Sequence, residues 1–441
     1  MLNMDKKLAQ REAEGKIIRT GLVGAGQMGR GMVSQMVGMK GIMPAIVADI
    51  KIENVINAFH YAGIKDEDIA KTNSLEEANK FLEMGKYVAT ENADLISTAN
   101  LVECAIDVTG VPEIGVRIAT DALNNHKHVV MMDVETDVVI GPWLKKLGDK
   151  NGVIYTGSAG DEPGAVMEIY CFAKAMGFQV RVMGKGKNNK LDYDCNPDTV
   201  LEEATRRKMS PRMLCSFKDG TKTMVEMTAM SNATGLIPDV IGGHGVKTSP
   251  GTEGIKELNT LFRLKEDGGI LNKHGVVEYV NGIAPGVFVT VATDNQEIAY
   301  QMQYHSMGPG PLWTLYRPYH LCNLETPLTV AKLVIDHEPT IIPLDGPVSE
   351  CITVAKVDLK AGQTIDGIGG YTTYGSIATA EETYKKGYVI YGLVNKKAKM
   401  LRDVKKGQLL TLEDVELDTT TQLYKTRKEQ DAMYNNGYAL K

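Results

Sequence analysis

An apolar run, Ile17–Val23, passes directly into Gly24-Ala25-Gly26-Gln27-Met28-Gly29 and then into a small-and-apolar stretch reaching about Val37. A strand, three glycines at this spacing and a helix predict the first strand-to-helix turn of an open parallel sheet. Gly24 permits the tight turn, Gly26 lets a pyrophosphate approach the backbone, and Gly29 allows the helix to pack closely on the strand. The helix N-terminus, with Gln27 and Met28 in its first turn, offers unpaired N–H groups to the anion. A second strand, Ala45–Ala48, ends at Asp49, twenty residues after Gly29, where a carboxylate accepts from an adenosine ribose 2′-OH. That carboxylate repels a 2′-phosphate and so favours NAD, while Lys51 nearby leaves NADP open. Asp49 also suits a second role, capping the helix that follows.

The alternation continues with a strand at Val102–Val108 ending in Thr109-Gly110, a helix over Val111–Asn124, and a strand at His128–Met132 ending in Asp133-Val134-Glu135. Ligands of open parallel sheets sit beyond the carboxyl ends of the strands, so Thr109, Gly110 and Glu135 are expected on the nicotinamide side of a Rossmann domain. The chain has 441 residues, which at roughly 100–200 residues per domain predicts two to four domains. A net charge of −6 argues against a nucleic-acid or membrane surface as partner. No apolar run is long enough to span a bilayer, and Met1–Gly15 is polar, unlike a secretory signal. Six cysteines are scattered without a C-x-x-C pair, as expected of reduced thiols in a cytoplasmic protein.

Several strings carry a family resemblance. "DVTG" before a helix, "KHVVMMDVE" and "GSAGDEPGAVMEIY" resemble the nicotinamide-side segments of the homoserine-dehydrogenase-like superfamily. "FKDGTK", "MGPGPLWTLYRPYHLCNLETP" and "AKVDLKAGQTIDGIGGYTTYG" resemble a subgroup with an appended C-terminal SAF domain, which includes 1-deoxy-D-xylulose 5-phosphate reductoisomerase-like enzymes. The resemblance covers about residues 15–418. It implies lysine and acidic residues around a reacting carbon, and it leaves the substrate undefined.

Residues 155–345 hold the polar groups most suggestive of chemistry. A helix at Gly164–Met176 and a strand at Gln179–Met183 lead into Gly184-Lys185-Gly186-Lys187-Asn188-Asn189-Lys190, read as a glycine-and-lysine loop or, alternatively, a solvated charged turn. Asp192, Asp194, Asn196 and Pro197 follow, supplying groups that orient a lysine or bind substrate. Hydride transfer to or from an alcohol needs a group that takes and returns the hydroxyl proton. Lysine does so only when burial or a neighbouring cation lowers its pKa from about 10.4. Mutual repulsion among Lys185, Lys187 and Lys190 provides that push; Lys187 is the first choice and Lys185 the second. Glu135, Asp161 and Asp192 complete the catalytic candidates. Asp161 and Glu162 equally suit a helix N-terminus.

Ser216–Lys222 reads as a hairpin turned at Asp219-Gly220, placing Lys222 beside Glu226. Asn232 suits a substrate hydroxyl or plain packing. In Tyr304–Pro327, Gly308–Pro311 forces a shaped loop, and Arg317 with His320 suits a phosphate or carboxylate; an inter-domain ion pair is the alternative for Arg317, and His305 is a weaker candidate. Leu328–Ile335 reads as a helix returning to the first domain. His126 and His128 are a poor metal pair, no carboxylate triplet demands a divalent metal, and that question stays open. From Val348 short β-type runs (Ile352–Ala355, Gly387–Val394) resemble the β-clip of SAF domains, with Gly367–Gly375 either a lid or a turn.

The expectation is therefore an α/β protein: a Rossmann domain over 1–154, an α+β catalytic domain over 155–345, a small β-rich SAF-like domain over 346–418, and a tail over 419–441 that is disordered or trails over a neighbouring subunit. The expected function is an NAD(P)-dependent dehydrogenase or reductoisomerase of a small polyhydroxylated, sugar-like substrate, in a homo-oligomer. The alternative is a dinucleotide-binding redox sensor without turnover.

Overall fold

The computed structural model describes residues 3–434, 437, 438 and 440. The chain forms two compact units: Met1–Gly164 with Leu321–Ile342, and Ala165–His320 with Pro343–Lys441.

In the first unit seven strands form one parallel sheet: β1 (Ile18–Val23), β2 (Ile42–Ala48), β3 (Ile69–Lys71), β4 (Tyr87–Thr90), β5 (Cys104–Asp107), β6 (His128–Met131) and β7 (Tyr155–Gly157). Their order is β3-β4-β2-β1-β5-β6-β7, so the sheet reverses direction of growth between β1 and β5. Helices cover both faces of such a sheet, which explains why β1 and β2 are buried nearly throughout rather than on alternate residues. The helix Gln27–Val37 turns Gly29, Met32, Val33 and Met36 inward, one stripe at helical spacing. They join Ile18, Leu22, Val47 and Phe59 in the core, each large side chain contributing about 1.5–3 kcal/mol. Leu321–Ile342 returns here: the helix Cys322–Asp336 buries Val330, Ala331 and Leu333 in the same core, and Ile341 accepts from Gly157 N–H at 2.9 Å. Sequence reading missed β3 and β4, which at three and four residues are too short to show a period.

The second unit is built on a mixed sheet. Its strands are β8 (Gln179–Lys187), β9 (Ile237–Pro238), β10 (Val246–Lys247), β11 (Val276–Asn281), β12 (Val287–Ala292) and β13 (Trp313–Arg317), in order β10-β11-β8-β12-β13 with β9 beside β11. One face packs Val182, Val280 and Phe288 against Leu258 and Phe262 of the helix region 251–262. The C-terminal part of this unit adds the antiparallel pair β14 (Ser349–Ala355) and β15 (Thr373–Thr379), and a smaller pair, β16 (Lys399–Met400) and β17 (Val415–Glu416).

Three expectations fail in the elements of the second unit. Ser216–Lys222 is not a hairpin: Asp219-Gly220 separates the helices Pro211–Lys218 and Thr221–Thr234, with Gly220 at φ 89° and Asp219 Oδ1 accepting from Thr221 N–H. Gly387–Val394 is not a strand but contains a 3-10 turn, Tyr391–Leu393. Pro343–Lys441 belongs to the same compact unit as 165–320, and within it Ala355–Val415 keeps an apolar cluster of its own. The tail forms a helix, Gln422–Tyr434, ordered by Arg427, whose guanidinium is fully buried against Glu350 and Asp431. Its last residues 435, 436, 439 and 441 lie outside the described residues.

Candidate functional site

The glycine turn lies where the first unit's sheet reverses. Gly24 adopts φ +105°, and a Cβ there would come within 2.9 Å of the Val108 carbonyl at the end of β5. A Cβ on Gly29 would run into the Gly24 carbonyl oxygen, so helix and turn are packed to the limit that glycine allows. Gly26 differs: a Cβ there would meet nothing within 4 Å. Gly26 is also the helix N-cap, with Gln27 and Met28 leading the first turn. An exposed cradle with backbone donors at a helix N-terminus fits a pyrophosphate. The fit extends to the whole motif, since each glycine meets the constraint assigned to it.

Asp49 is more engaged than sequence reading expects. Its Oδ2 accepts from Ala25 N–H at 2.8 Å, and its Oδ1 from Lys51 N–H and Asn54 Nδ2 at 3.0 Å each. The carboxylate at the end of β2 thus ties the glycine turn to the segment that opens the helix Ile52–Tyr61 without accepting from a backbone N–H of that helix. Lys51 is the exposed N-cap residue of that helix.

Beyond β5, Thr109 donates its N–H to Asp107 Oδ1 at 3.0 Å and Gly110 turns at φ 63°. Asp107, Asp133 and Glu135 are all buried at the carboxyl ends of β5 and β6. Burial pushes the Asp107 carboxyl up to about 6 and raises Asp133 well above the carboxylate range, with Glu135 and Asp107 adding repulsion. Sequence reading named Glu135 and passed over the other two, since an acid inside an apolar strand gives no sign of its neighbours. Asp161 and Glu162 are both buried, in the turn after β7 and at the first position of the helix Glu162–Ala175.

In the second unit the glycine-and-lysine segment is not a loop. Gly184–Lys187 completes β8, with Lys185 opposite Tyr279 of β11 and Val287 of β12, and Lys187 opposite Asn281. Alternation sets Lys185 and Lys187 on the face opposite the apolar core. The glycines serve the sheet itself: a Cβ on Gly184 would come within 2.8 Å of the Phe288 ring, and one on Gly186 within 2.7 Å of Ala284 N. Both lysines are buried, 5% and 6% exposed, which a solvated turn would not produce. Lys185 forms an ion pair with Glu226, itself buried on the helix Thr221–Thr234. Lys187 Nζ donates to the Phe217 carbonyl at 2.8 Å. Burial, seconded by the Lys185 charge, lowers the Lys187 pKa to about 8. Repulsion between lysines therefore acts as expected but is the smaller cause. Lys222 lies one helical turn before Glu226, on the same face.

Arg317 shares a cross-strand row with Lys185, since Val287 of β12 is opposite both. The two residues thus start from one face of the sheet with their Cα atoms about 10 Å apart. Arg317 stacks over the Tyr319 ring at 4.4 Å and reaches Glu168 at 3.7 Å. His320 follows in the same segment, half-buried.

Other candidates are spent on structure. Asp192 is exposed and accepts from Asp194 N–H within its own turn. Asn196 Oδ1 accepts from Asp198 and Thr199 N–H, capping a turn. Asn232 Oδ1 accepts from Val348 and Ser349 N–H at 2.8 and 2.9 Å, so packing accounts for it. His305 is exposed, and His128 Nδ1 accepts from Ile154 N–H. Of Gly367–Gly375, residues 367–372 form a fixed turn and Thr373–Gly375 begin β15: Asp366 accepts from Tyr371 and Thr372 N–H, and Arg212 donates to Asp366 and the Gly367 carbonyl.

A glycine turn at the reversal of a parallel sheet, and a mixed sheet with a buried lysine pair, define a two-unit α/β protein whose first unit offers a cradle that fits a pyrophosphate. Residues 160–326 match the family described as oxidoreductase DRL, catalytic domain. No curated protein matches the chain. Among solved structures the chain is similar to a probable dehydrogenase from Thermotoga maritima, at 12% identity over 73% of this chain and 90% of that one, with a TM-score of 0.42. It is similar to the scyllo-inositol dehydrogenase from Lactobacillus casei, solved with NAD(H) and scyllo-inositol, at 9% identity over 74% and 92%, TM-score 0.41. A UDP-N-acetylglucosamine 3-dehydrogenase from Acidithiobacillus ferrooxidans gives 10% identity over 74% and 92%, TM-score 0.38. None of the described helices is long and apolar enough to cross a membrane.

Proposed function

We propose that this protein is an NAD-linked oxidoreductase of a small polyhydroxylated, sugar-like substrate, with Lys187 as the group that takes and returns the substrate hydroxyl proton. The observation that carries this reading is the Lys187 amine itself: buried, held by a carbonyl, and lowered to about 8, where it exchanges protons near physiological pH. The match of residues 160–326 to an oxidoreductase catalytic domain supports it. The dinucleotide, when bound, supplies or accepts the hydride. Gly24, Gly26 and the first turn at Gln27 and Met28 hold its pyrophosphate, and Asp49 faces the adenosine ribose while keeping the glycine turn in place. Thr109, Gly110 and the buried acids after β5 and β6 shape the nicotinamide side.

Lys185, ion-paired with Glu226, orients the substrate rather than transferring a proton. Its charge adds to the burial that lowers Lys187. Arg317, with His320, binds an anionic substituent on the substrate, a phosphate or carboxylate.

The narrower placement, a homoserine-dehydrogenase-like enzyme with a SAF domain and a reductoisomerase of the 1-deoxy-D-xylulose 5-phosphate type, rests on the sequence strings. The segment from Ala355 to Val415 supports its SAF part with a separate apolar cluster among short strands. The test is turnover, followed at the nicotinamide absorbance band, with NAD or NADP and a panel of polyols, aldonates and ketose phosphates. Tight dinucleotide binding with no turnover on any of them would favour the redox sensor instead.

A further inference from the structure

Cys195 and Cys215 meet inside the second unit, far apart in sequence and outside the lysine pair described above. Their sulfurs are 3.5 Å apart, and each also approaches the other's carbonyl, at 3.6 and 3.4 Å. Such mutual contacts require the two backbones to run close together. A disulfide has sulfurs about 2.05 Å apart, so closing the pair asks for an approach of about 1.5 Å, within the reach of small side-chain rotations. A fixed cation stands beside them: Lys356 Nζ is 3.5 Å from Cys215 Sγ, and it donates to Asp219 Oδ2, the Cys195 carbonyl and the Gly370 carbonyl at 2.7–3.0 Å.

We propose that Cys195 and Cys215 form an oxidation site, a dithiol that hydroperoxides close reversibly to a disulfide beside the Lys356 ammonium. The two cysteines have unequal parts. The hydrogen bond from Cys195 and the neighbouring Lys356 hold the Cys215 thiol below its usual range, while the same hydrogen bond and burial push Cys195 up. Cys215 is therefore the attacking thiolate and Cys195 the resolving thiol. The Cys215 sulfur attacks the peroxide, taking one oxygen as sulfenic acid while the other leaves, protonated, as water or an alcohol. The Cys195 sulfur then displaces that oxygen as a second water, closing the S–S bond; the pair loses two electrons and two protons, which the hydroperoxide takes up.

Both sulfurs are buried, but the stretch from Asn188 to Asp194 that leads into Cys195 has no regular structure and is largely exposed. Local opening of such a segment admits a reagent the size of hydrogen peroxide. The helix bearing Cys215 also carries the Phe217 carbonyl that holds Lys187, two residues on. The dithiol thus adjoins the contact that keeps the lysine in place.

The test uses the full chain with exposed Cys171 replaced, Cys171→Ser, to suppress links between molecules. Hydrogen peroxide is expected to remove the mass of two hydrogen atoms, to yield a cross-linked peptide pair carrying Cys195 and Cys215, and to be reversed by dithiothreitol. Cys195→Ser is expected to stop at a sulfenic acid on Cys215 that dimedone traps, and Cys215→Ser to give no trapped cysteine at 195. Overturning results are two thiols still open to alkylation after treatment, separate sulfinic acids without a cross-link, or dimedone labelling of Cys195 instead of Cys215.

Discussion

An ordinary lysine is almost wholly protonated at neutral pH and useless as a base. Lys187 escapes this because its strand carries it to an interior face, where losing water costs the charged form more than the neutral one. In the alcohol-oxidising direction the neutral amine is the competent form, so the rate should rise with pH through about 8 and level off above it. The reverse reaction should fall over the same range; profiles flat across that range would remove Lys187 from the proton-transfer role. Lys187→Met should lower kcat by about 10²–10⁴-fold with dinucleotide affinity unchanged in a binding titration. Asp49 presents the opposite problem, a residue with two roles at once. Asp49→Ala loses three hydrogen bonds to a charged group and should weaken both NAD and NADP, whereas Asp49→Asn, keeping an acceptor, should chiefly shift the NADP-to-NAD affinity ratio upward. An unchanged ratio would remove the ribose contact. Asp49 was legible because it stands at a fixed distance from the glycine motif, and Lys187 because three lysines cluster within six residues after a strand. Glu226, Asp219 and Lys356 were not: their chemistry comes from partners 41 and 137 residues away, and no local pattern announces such pairings.

Elements explain which parts of the sequence spoke clearly. The helix Gln27–Val37 could be read because its glycines and its apolar stripe say the same thing, turn then burial. Gly29 supports a strict test. A methyl group there meets the Gly24 carbonyl, which is backbone and cannot swing aside, so Gly29→Ala must push the helix off the turn. The expected cost is about 1–3 kcal/mol of stability, together with loss of dinucleotide binding; thermal melts and a binding titration check the two separately. Wild-type affinity in this variant would show that the turn tolerates displacement and that the anion cradle lies elsewhere. β8 illustrates the reverse case. Glycine and lysine are poor strand formers, so Gly184–Lys187 looked like a loop, yet neighbours on both sides supply ladder partners and the glycines relieve crowding against Phe288 and Ala284. Tertiary pairing overrode local preference, and the same override turned Asp219-Gly220 from a hairpin signal into a break between helices.

At the scale of the molecule, the sequence divides by composition while the fold divides by contact. The chain leaves the first unit at Gly164, returns for Leu321–Ile342, and leaves again; of that route the sequence showed only the apolar helix at Leu328–Ile335. Arg427 is the most deeply bound residue of the last helix. Arg427 is fully buried, donating to Glu350 from both terminal nitrogens, at 2.5 and 3.1 Å, and to Asp431 from Nε at 3.0 Å. Tyr384 donates to the same Glu350 at 2.7 Å. Burial pushes the Glu350 carboxyl up, and Arg427 opposes that push. Arg427→Met keeps the volume and removes the opposition at the buried Glu350 carboxyl. The expected loss at neutral pH is about 3–5 kcal/mol. Glu350 in the variant then titrates still further above its unfolded value, so the folded form binds a proton that the unfolded form has released. The variant's deficit relative to wild type should accordingly shrink as pH falls toward about 4 and widen as pH rises, which paired denaturant titrations at several pH values would show. A deficit independent of pH would mean that lost packing, rather than stranded charge, is what the guanidinium prevents.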